Sequence, residues 1–596
     1  MQKAEGLSPL PPWRRTDYCG NLRAGDAGRE VALWGWVASR RDHGGLIFID
    51  LRDREGIVQV VFNPERAASA HQIARQMRLE YYVAVKGAVI VRSEATVNKE
   101  LATGEIEVAA QEAQILNESV SPPFPIGDEA AAEDIRLRFR YLDLRRPEMQ
   151  RNLRRRHRAL AGARAYLDSQ GFVEIETPIL WRATPEGARD YLVPSRINPG
   201  KFYALPQSPQ LLKQLLMVSG FDRYYQVARC FRDEDLRANR QPEFTQIDIE
   251  MTGPRTEDVM AVGEGMIASI YRHALGVELP LPFTRMKYDD VFARYGTDKP
   301  DLRFGLEILE LSQPFAGTGF RIFAESLSRG ETIHGIRLPA NFALSRRELD
   351  EMTESLRLRN GLGLAWVRAS AGGWQGPIAK FVAADEGARV AEAAGICEGD
   401  LLLMVAGERS RVLPVMGDLR LQLGTRFGLR ESDARCFLWV SDFPLLEYNA
   451  EERRMVPVNH PFTAPHPEDL ERLNSDPLSV RALSYDLVLN GEEIGGGSIR
   501  IHNRELQLRI FELLGFTREQ AEEKFGFLLE AFGYGAPPHG GIAFGVERIS
   551  MMLCNTDSIR DVMAFPKTQK AVDLMSGAPS DVSQVQLDEL SIRVTK

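Results

Sequence analysis

Between Tyr224 and Met251 the chain reads YYQVARCFRDEDLRANRQPEFTQIDIEM, with apolar residues clustered at both ends and an almost wholly polar stretch from Arg232 to Gln241. Two strands joined by a charged loop have this pattern, and a hairpin is implied. On its second strand, period-two alternation puts Phe244, Gln246, Asp248 and Glu250 on one face and Ile247, Ile249 and Met251 on the other. An aromatic beside three hydrogen-bonding side chains suits a small polar ligand; a solvated edge strand would read the same way.

The 596 residues exceed what one hydrophobic core organises, so three or four domains are expected. With 44% hydrophobic and 26% charged residues, neither a disordered nor a fibrous chain has support. No apolar run reaches the length of a bilayer span, and MQKAEGLSPLPPWRR lacks the apolar core of a leader, so no membrane partner is expected and the cytoplasm is the default. Five scattered cysteines without a CxxC pair indicate neither a disulfide framework nor a zinc site. A net charge of −9 argues against a protein that coats DNA or RNA nonspecifically, yet leaves room for one RNA bound by a local basic face. The run RRPEMQRNLRRRHR, Arg145 to Arg158, either touches phosphate or is a solvated helix face.

Residues 31 to 61 read as three strands, VALWGWVASR, LIFIDLRD and GIVQVVF, separated by the turns Asp42-His43-Gly44-Gly45 and Arg54-Glu55-Gly56. With YYVAVKGAVIV and GEIEVAAQEAQIL they make a five-strand, Greek-key-like series that fits an OB-type barrel of about 110 residues, a fold that binds single-stranded nucleic acid. Another small β domain is the alternative. Ser121-Pro122-Pro123-Phe124-Pro125 reads as a stiff linker. After it come a helix with Leu153, Leu160 and Leu167 at heptad spacing, a stop at Gly171, and a strand ending before Pro178. The expected division is a barrel at 1–120, a hinge at 121–150, a second domain at 151–299 and 431–596, and an inserted α+β domain at 300–430 that carries no constellation of reactive residues.

In YDLVLNGEEIGGGSIRI, Asn490-Gly491 is a strong hairpin signal. A two-residue turn pairs Leu489 with Glu492 and sets Asp486 opposite Gly495. Asp486 and Glu493 then share a face, roughly 7 to 8 Å apart at Cα, a spacing into which one divalent cation fits. Simple alternation puts Arg500 on the other face, unless a bulge in Gly495-Gly496-Gly497 re-aims it. GGIAFGVERISMML reads as strand, tight turn and helix, with Arg548 in a first helical turn, where the dipole disfavours a cation and an anionic ligand would offset the cost. In QSPQLLKQLLMVSG, Ser208 is the expected N-cap and Pro209 the first helical residue, with Gln210, Lys213 and Gln214 on one face.

FRDEDLRANRQPEFTQIDIE closely resembles motif 2 of the class II aminoacyl-tRNA synthetases, specifically the bacterial-type aspartyl enzymes, and GGIAFGVER resembles their motif 3. The resemblance spans nearly the whole chain. It implies an α+β multidomain protein with an N-terminal OB-fold barrel and a catalytic antiparallel sheet of six or seven strands. It implies L-aspartate, ATP, Mg²⁺ and tRNA as reactants and a homodimer formed around Pro178. By resemblance, Arg232 bridges aspartate and the α-phosphate, Asp233, Glu234 and Gln241 lie near the nucleotide, and Phe244 stacks on adenine. Gly545, Val546, Glu547 and Arg548 form the motif 3 part of the ATP site, and Asp486 and Glu493 hold Mg²⁺. Lys213 and Arg500 take the β-carboxylate, Glu186, Ser208 and Gln210 surround the ammonium group, and Asp248 orders the cations. His460 matches a second pocket histidine, whereas Asn459 stands where the family commonly has the first and can hydrogen-bond but not carry a charge. In the barrel, Phe48 and Gln59 are implied to read the anticodon. His43 is the residue often found in enzymes that charge tRNA(Asn) as well as tRNA(Asp), and Ala95 partly matches a second such position. Asparaginyl and lysyl synthetases, or an inert RNA-binding paralogue, are the rivals; a paralogue should have lost Arg232, Glu493 or Arg548.

Overall fold

The computed structural model describes residues 10–127, 130–184, 189–234, 240–431 and 433–595. They divide into two compact units: one runs to Arg155 and takes in Arg240, Gln241 and Ser558–Val582, and the other holds the remainder.

In the first unit, strands Glu30–His43, Leu46–Asp53, Gly56–Phe62, Tyr82–Val91 and Ile106–Asn117 close into a barrel, the last pairing in parallel with the third. Alternation explains closure: Leu33, Ile49, Val60, Phe62, Val85 and Val108 point inward and are fully buried. The stretch that follows forms two short helices, Glu133–Arg138 and Arg140–Asp143. Asp143, fully buried, accepts from Arg140 Nη1 at 2.5 Å and Arg146 Nη1 at 3.3 Å. Arg140 also donates to the carbonyls of Arg560, Met563 and Ala564. Much of the basic run is likewise spoken for. Arg145 pairs with Glu80 at 2.8 Å over the Trp36 ring, and Arg154 pairs with Glu55 at 2.9 Å.

In the second unit an eight-stranded sheet runs in the spatial order Thr284–Lys287, Phe437–Ser441, Ser484–Leu489, Glu492–Ile499, His539–Gly545, Glu243–Thr252, Arg223–Phe231, Val173–Glu174. Its six inner strands are antiparallel; the two short outer ones join in parallel. The sheet is thus larger than the six or seven strands expected, because both edges recruit a short extra segment. Helices Pro147–Ser169 (from Arg156 on) and Thr256–Leu275 cover its apolar face, where Leu167, Ile249, Trp439, Leu487 and Phe544 are buried together. The opposite face carries Asp248, Glu250, Asp486 and Glu493, with Leu438, Val440 and Val488 packed in a smaller apolar cluster beside them.

The insert is a second, five-stranded antiparallel sheet, ordered Ile308–Glu310, Thr332–Leu338, Leu401–Gly407, Leu364–Ser370, Gly373–Gln375. Its central strand LLLMVAG is buried on both faces, so it reads as a continuous apolar run. The helix Arg409–Arg426 ties the insert to the turn at 299–305 through Arg420, which is 1% exposed. Its guanidinium lies 4.1 Å from the Phe304 ring centroid and 4.9 Å from that of Tyr295, and donates to the carbonyls of Asp301, Phe304 and Gly305 at 2.7 to 3.1 Å. Among the described residues no helix is long and apolar enough to cross a membrane. Replacing Arg420 with Leu removes the hydrogen bonds to three carbonyls, two of them, at Asp301 and Phe304, buried; amide hydrogen exchange across 299–305 is expected to quicken at least about tenfold, with the barrel unaffected.

Candidate functional site

The polar face of the large sheet floors a cavity of about 460 Å³. Cross-strand register aligns Asp248, Ala543, Gly496 and Asp486 in one row across four strands, so the sequence pattern of each strand converges on a single surface.

One end of the floor holds two cations and two carboxylates. Lys213, on the helix Gln210–Val218, is 1% exposed, with its Nζ against Asp248 Oδ1 and 3.2 Å from Glu250 Oε2. Arg500 is 2% exposed and grips Glu250 bidentately, Nε–Oε1 at 3.0 Å and Nη2–Oε2 at 3.1 Å. Its Nη1 donates to Ser498 Oγ at 2.6 Å and to His460 Nε2. Burial pushes the Glu250 carboxyl up, but Arg500 and Lys213 outweigh it and hold it below the usual carboxylate range. For Asp248 burial wins and the carboxyl is raised. Burial and the neighbouring Arg500 and Lys213 keep His460 neutral, far below its ordinary titration, which suits an imidazole nitrogen that accepts from a guanidinium. Asp248 Oδ2 and Gln210 Nε2 are buried with no hydrogen-bond partner among the described residues, and both side chains line the cavity. An unfilled acceptor and an unfilled donor in one buried pocket suit a ligand that is itself charged at both ends.

Asp486 and Glu493 occupy the other end. The turn pairs Leu489 with Glu492 and Val488 with Glu493 as expected. The register then slips: Leu487 meets Gly495 and Asp486 meets Gly496, not Gly495, leaving Ile494 as the extra residue of a bulge. The apolar Ile494 side chain is buried in the core, which drives the slip. Beyond the bulge the parity of the strand is reversed, so Gly496, Ser498 and Arg500 share the face of Glu493. The bulge anticipated within the glycine triplet sits just ahead of it. Gly496 makes room for the carboxylates: a Cβ there would lie 2.6 Å from Asp486 Oδ1 and 3.5 Å from Glu493 Oε1. Burial and Glu493 push the Asp486 carboxyl well above its usual range, with Arg548 pulling the other way. Two carboxylates converging over a glycine are a donor set that magnesium accepts alongside substrate phosphates. Among the described residues no three His, Cys, Asp or Glu side chains gather as a metal site.

Arg232, just past the end of the hairpin's first strand at Phe231, lines the cavity, its guanidinium 5.0 Å from the Phe244 ring centroid and its Nε buried without a partner among the described residues. Arg548 donates to Glu493 O at 2.7 Å, with its Nη1 3.7 Å from that residue's Oε2. Ser208 lines the cavity but is not the cap: the helix starts at Gln210 with Pro209 in the N-cap position. Asn459 and His460 line the cavity as well. Asp233 is exposed and pairs through its backbone with Arg189, Glu234 is partly buried, and neither lines the cavity. Gly545 closes its strand and Val546 packs into the core. Glu547 is turned away from solvent toward Arg156 and the Thr245 backbone. Gln241 belongs to the first unit, where its amide bonds the Lys567 carbonyl at 2.9 Å and N–H at 2.8 Å. Glu186 lies outside the described residues.

On the barrel, Phe48 and Asp50 face outward on one strand: Arg41 stands opposite Phe48 and Gln59 opposite Asp50. The Gln59 amide is engaged at both ends, by Arg41 at 3.1 Å and Glu107 at 2.9 Å. His43 and Ala95 are exposed, the first beside the Gly44-Gly45 turn. Sequence reasoning missed Glu250 as a site residue, although alternation already put it on the ligand face. It also missed Gln207 and Asp298, which line the cavity from loops that carry no periodic signal.

A model of the class II tRNA synthetases (D, K and N) matches residues 132–569, and one of the OB-fold nucleic acid binding domain matches residues 31–116. The chain belongs to the class II tRNA synthetases of this group. At finer grain it is 55% identical over 590 residues to the aspartate–tRNA(Asp/Asn) ligase of Desulfosudis oleivorans, covering 99% of each chain. It is 55% identical over 597 residues to the ligase of the same name from Moorella thermoacetica, covering 100% of this chain and 99% of that one. In fold it is similar to asparaginyl-tRNA synthetase from Pyrococcus horikoshii complexed with asparaginyl-adenylate, with a TM-score of 0.58, 20% identity, and coverage of 93% of this chain and 98% of that one.

Changing Glu250 to Gln leaves Lys213 and Arg500 with one buried anion between them. The loss is expected to be about 3 kcal/mol or more, read as a lower unfolding midpoint of the sheet domain in calorimetry. An unchanged midpoint would mean that Asp248 alone balances both cations.

Proposed function

We propose that the chain is an aspartate–tRNA ligase that makes aspartyl-adenylate from L-aspartate and ATP and transfers the aspartyl group to the 3′ end of tRNA(Asp) and tRNA(Asn). The observation that carries the substrate is the buried pair Lys213 and Arg500 beside an unfilled Asp248 oxygen and an unfilled Gln210 amide. The two cations, ordered by Asp248, take the side-chain carboxylate of aspartate; Ser208, Glu186 and the Gln210 amide oxygen take its ammonium end, and the unfilled Gln210 Nε2 donates to a carboxylate. Asparagine would set an amide against the cations, at several kcal/mol. Asn459 adds a neutral hydrogen bond where it borders the pocket.

Arg232 holds the aspartate α-carboxylate against the α-phosphate, a pairing for which a guanidinium fork is suited. Phe244 stacks on adenine, and Arg548 clamps the outer phosphates. Asp486 and Glu493 would hold a magnesium ion, which would supply charge screening for the phosphates. The α-carboxylate oxygen then attacks the α-phosphorus in line as pyrophosphate leaves, and the terminal tRNA hydroxyl next displaces AMP from the adenylate. Residues 1–120 serve the anticodon, with Phe48 stacking on a base and His43 and Ala95 admitting tRNA(Asn). Residues 151–299 and 431–596 serve catalysis. Seven large apolar side chains exposed around Pro178, from Val173 to Tyr203 and including Ile197 at 81%, support a homodimer built on this face. The protein works in the cytoplasm.

Aspartate-dependent ATP–pyrophosphate exchange is expected to be robust and to fall by about 10²-fold or more in Arg232→Ala; exchange driven by asparagine or lysine instead would overturn the assignment. Purified tRNA(Asn) is expected to accept aspartate, and charging no higher than background would restrict the enzyme to tRNA(Asp). Sedimentation is expected to give twice the chain mass, a monomer at micromolar concentration being the contrary result.

A further inference from the structure

The strand His539–Gly545 accompanies Glu243–Thr252 only as far as Gly545, which lies opposite Gln246. There the chain turns into the helix Val546–Cys554, and Thr245 loses the strand that its N–H would otherwise meet. Glu547, in the first turn of that helix and 2% exposed, supplies the replacement: its Oε2 accepts the Thr245 N–H at 3.0 Å. Its Oε1 accepts from Arg156 Nη2 at 2.7 Å, and the same nitrogen donates to Thr245 Oγ1 at 3.1 Å. The three residues close a triangle under the cavity floor, on a helix, a strand and a second helix that share no other sequence neighbourhood. One residue along from Thr245 is Phe244, whose ring faces Arg232. One residue along from Glu547 is Arg548, which reaches Glu493.

We infer that Arg156 and Glu547 are positioning residues that fix the spacing between Phe244 and Arg548, and so set the affinity for ATP without touching it. This rests on the reading above, in which Phe244 and Arg548 hold opposite ends of the nucleotide. Glu547 does so by charge and by oxygen geometry, Arg156 by neutralising a carboxylate that would otherwise be buried alone. Aspartate, bound among Lys213, Arg500 and Asp248, depends on none of these contacts.

The test is pyrophosphate exchange with the full chain, varying ATP and aspartate separately, with the melting midpoint measured alongside. Glu547→Ala is expected to raise KM for ATP about tenfold, Arg156→Ala by a similar factor, and the double variant by no more than the larger single effect, with KM for aspartate within about twofold throughout. Glu547→Gln, which keeps an oxygen for Thr245, should recover part of the loss, and with Arg156→Lys it carries the comparison if the alanine variants do not fold. An Arg156→Ala enzyme with wild-type KM for ATP beside a defective Glu547→Ala would mean that Glu547 meets the nucleotide directly, and overturns the inference. So would parallel rises in both KM values, the mark of general loosening. Failure of the wild-type chain to catalyse aspartate-dependent exchange would instead remove the assignment of function, and this inference with it.

Discussion

The carboxylate of Glu250 is the contact on which the rest of the sheet's polar face depends. It is fully buried, shared between Arg500 and Lys213, and seated over Gly541, where a Cβ would stand 2.2 Å from its Oε2. A lone cation at that depth would be too costly to keep charged. With Glu250 and Asp248 in place, the two cations stay charged, the neutral His460 accepts from one of them, and the pocket is organised before any ligand arrives. Preorganisation of this kind matters because a site that must rearrange to bind gives up part of its binding energy in doing so.

The second constraint is covalent and local. A single extra residue, Ile494, reverses the parity of one strand and brings Glu493 and Arg500 to the same surface. Without it Glu493 and Arg500, at the two ends of the site, would lie on opposite sides of the sheet. The bulge residue is apolar and buried, so the same side chain that stabilises the core also aims the site.

The sequence made much of this legible where a repeat of two or a turn dipeptide speaks directly. Alternation from Phe244 to Glu250 named the ligand face, and Asn490-Gly491 named the hairpin and its first two pairs. The slip at Ile494 was only half legible: glycines signalled an irregularity but not its place, since what decides it is how Ile494 packs against the core. Ser208 lies one residue ahead of the cap: Ser-Pro marks a helix start, but the first helical residue is Gln210. Glu547 looked like a site residue by its place in a motif, and only the end of the strand opposite Thr245 explains where its carboxylate goes. The basic run from Arg145 could not be read at all from composition, because its partners Glu80, Glu55 and Glu547 are distant in sequence.

The anchorage of the insert by Arg420 has a consequence for how such a chain can be shortened or recombined. The guanidinium sits on a helix of the insert, but its carbonyl partners lie in the turn that follows Asp298, a residue that lines the cavity. Modular boundaries drawn on sequence at 300 and 430 would keep Arg420 with these carbonyls but cut its guanidinium off from the Tyr295 ring, 4.9 Å away. A chimera that exchanges this insert has to carry the turn and the arginine as one inherited piece, so the two cannot diverge independently.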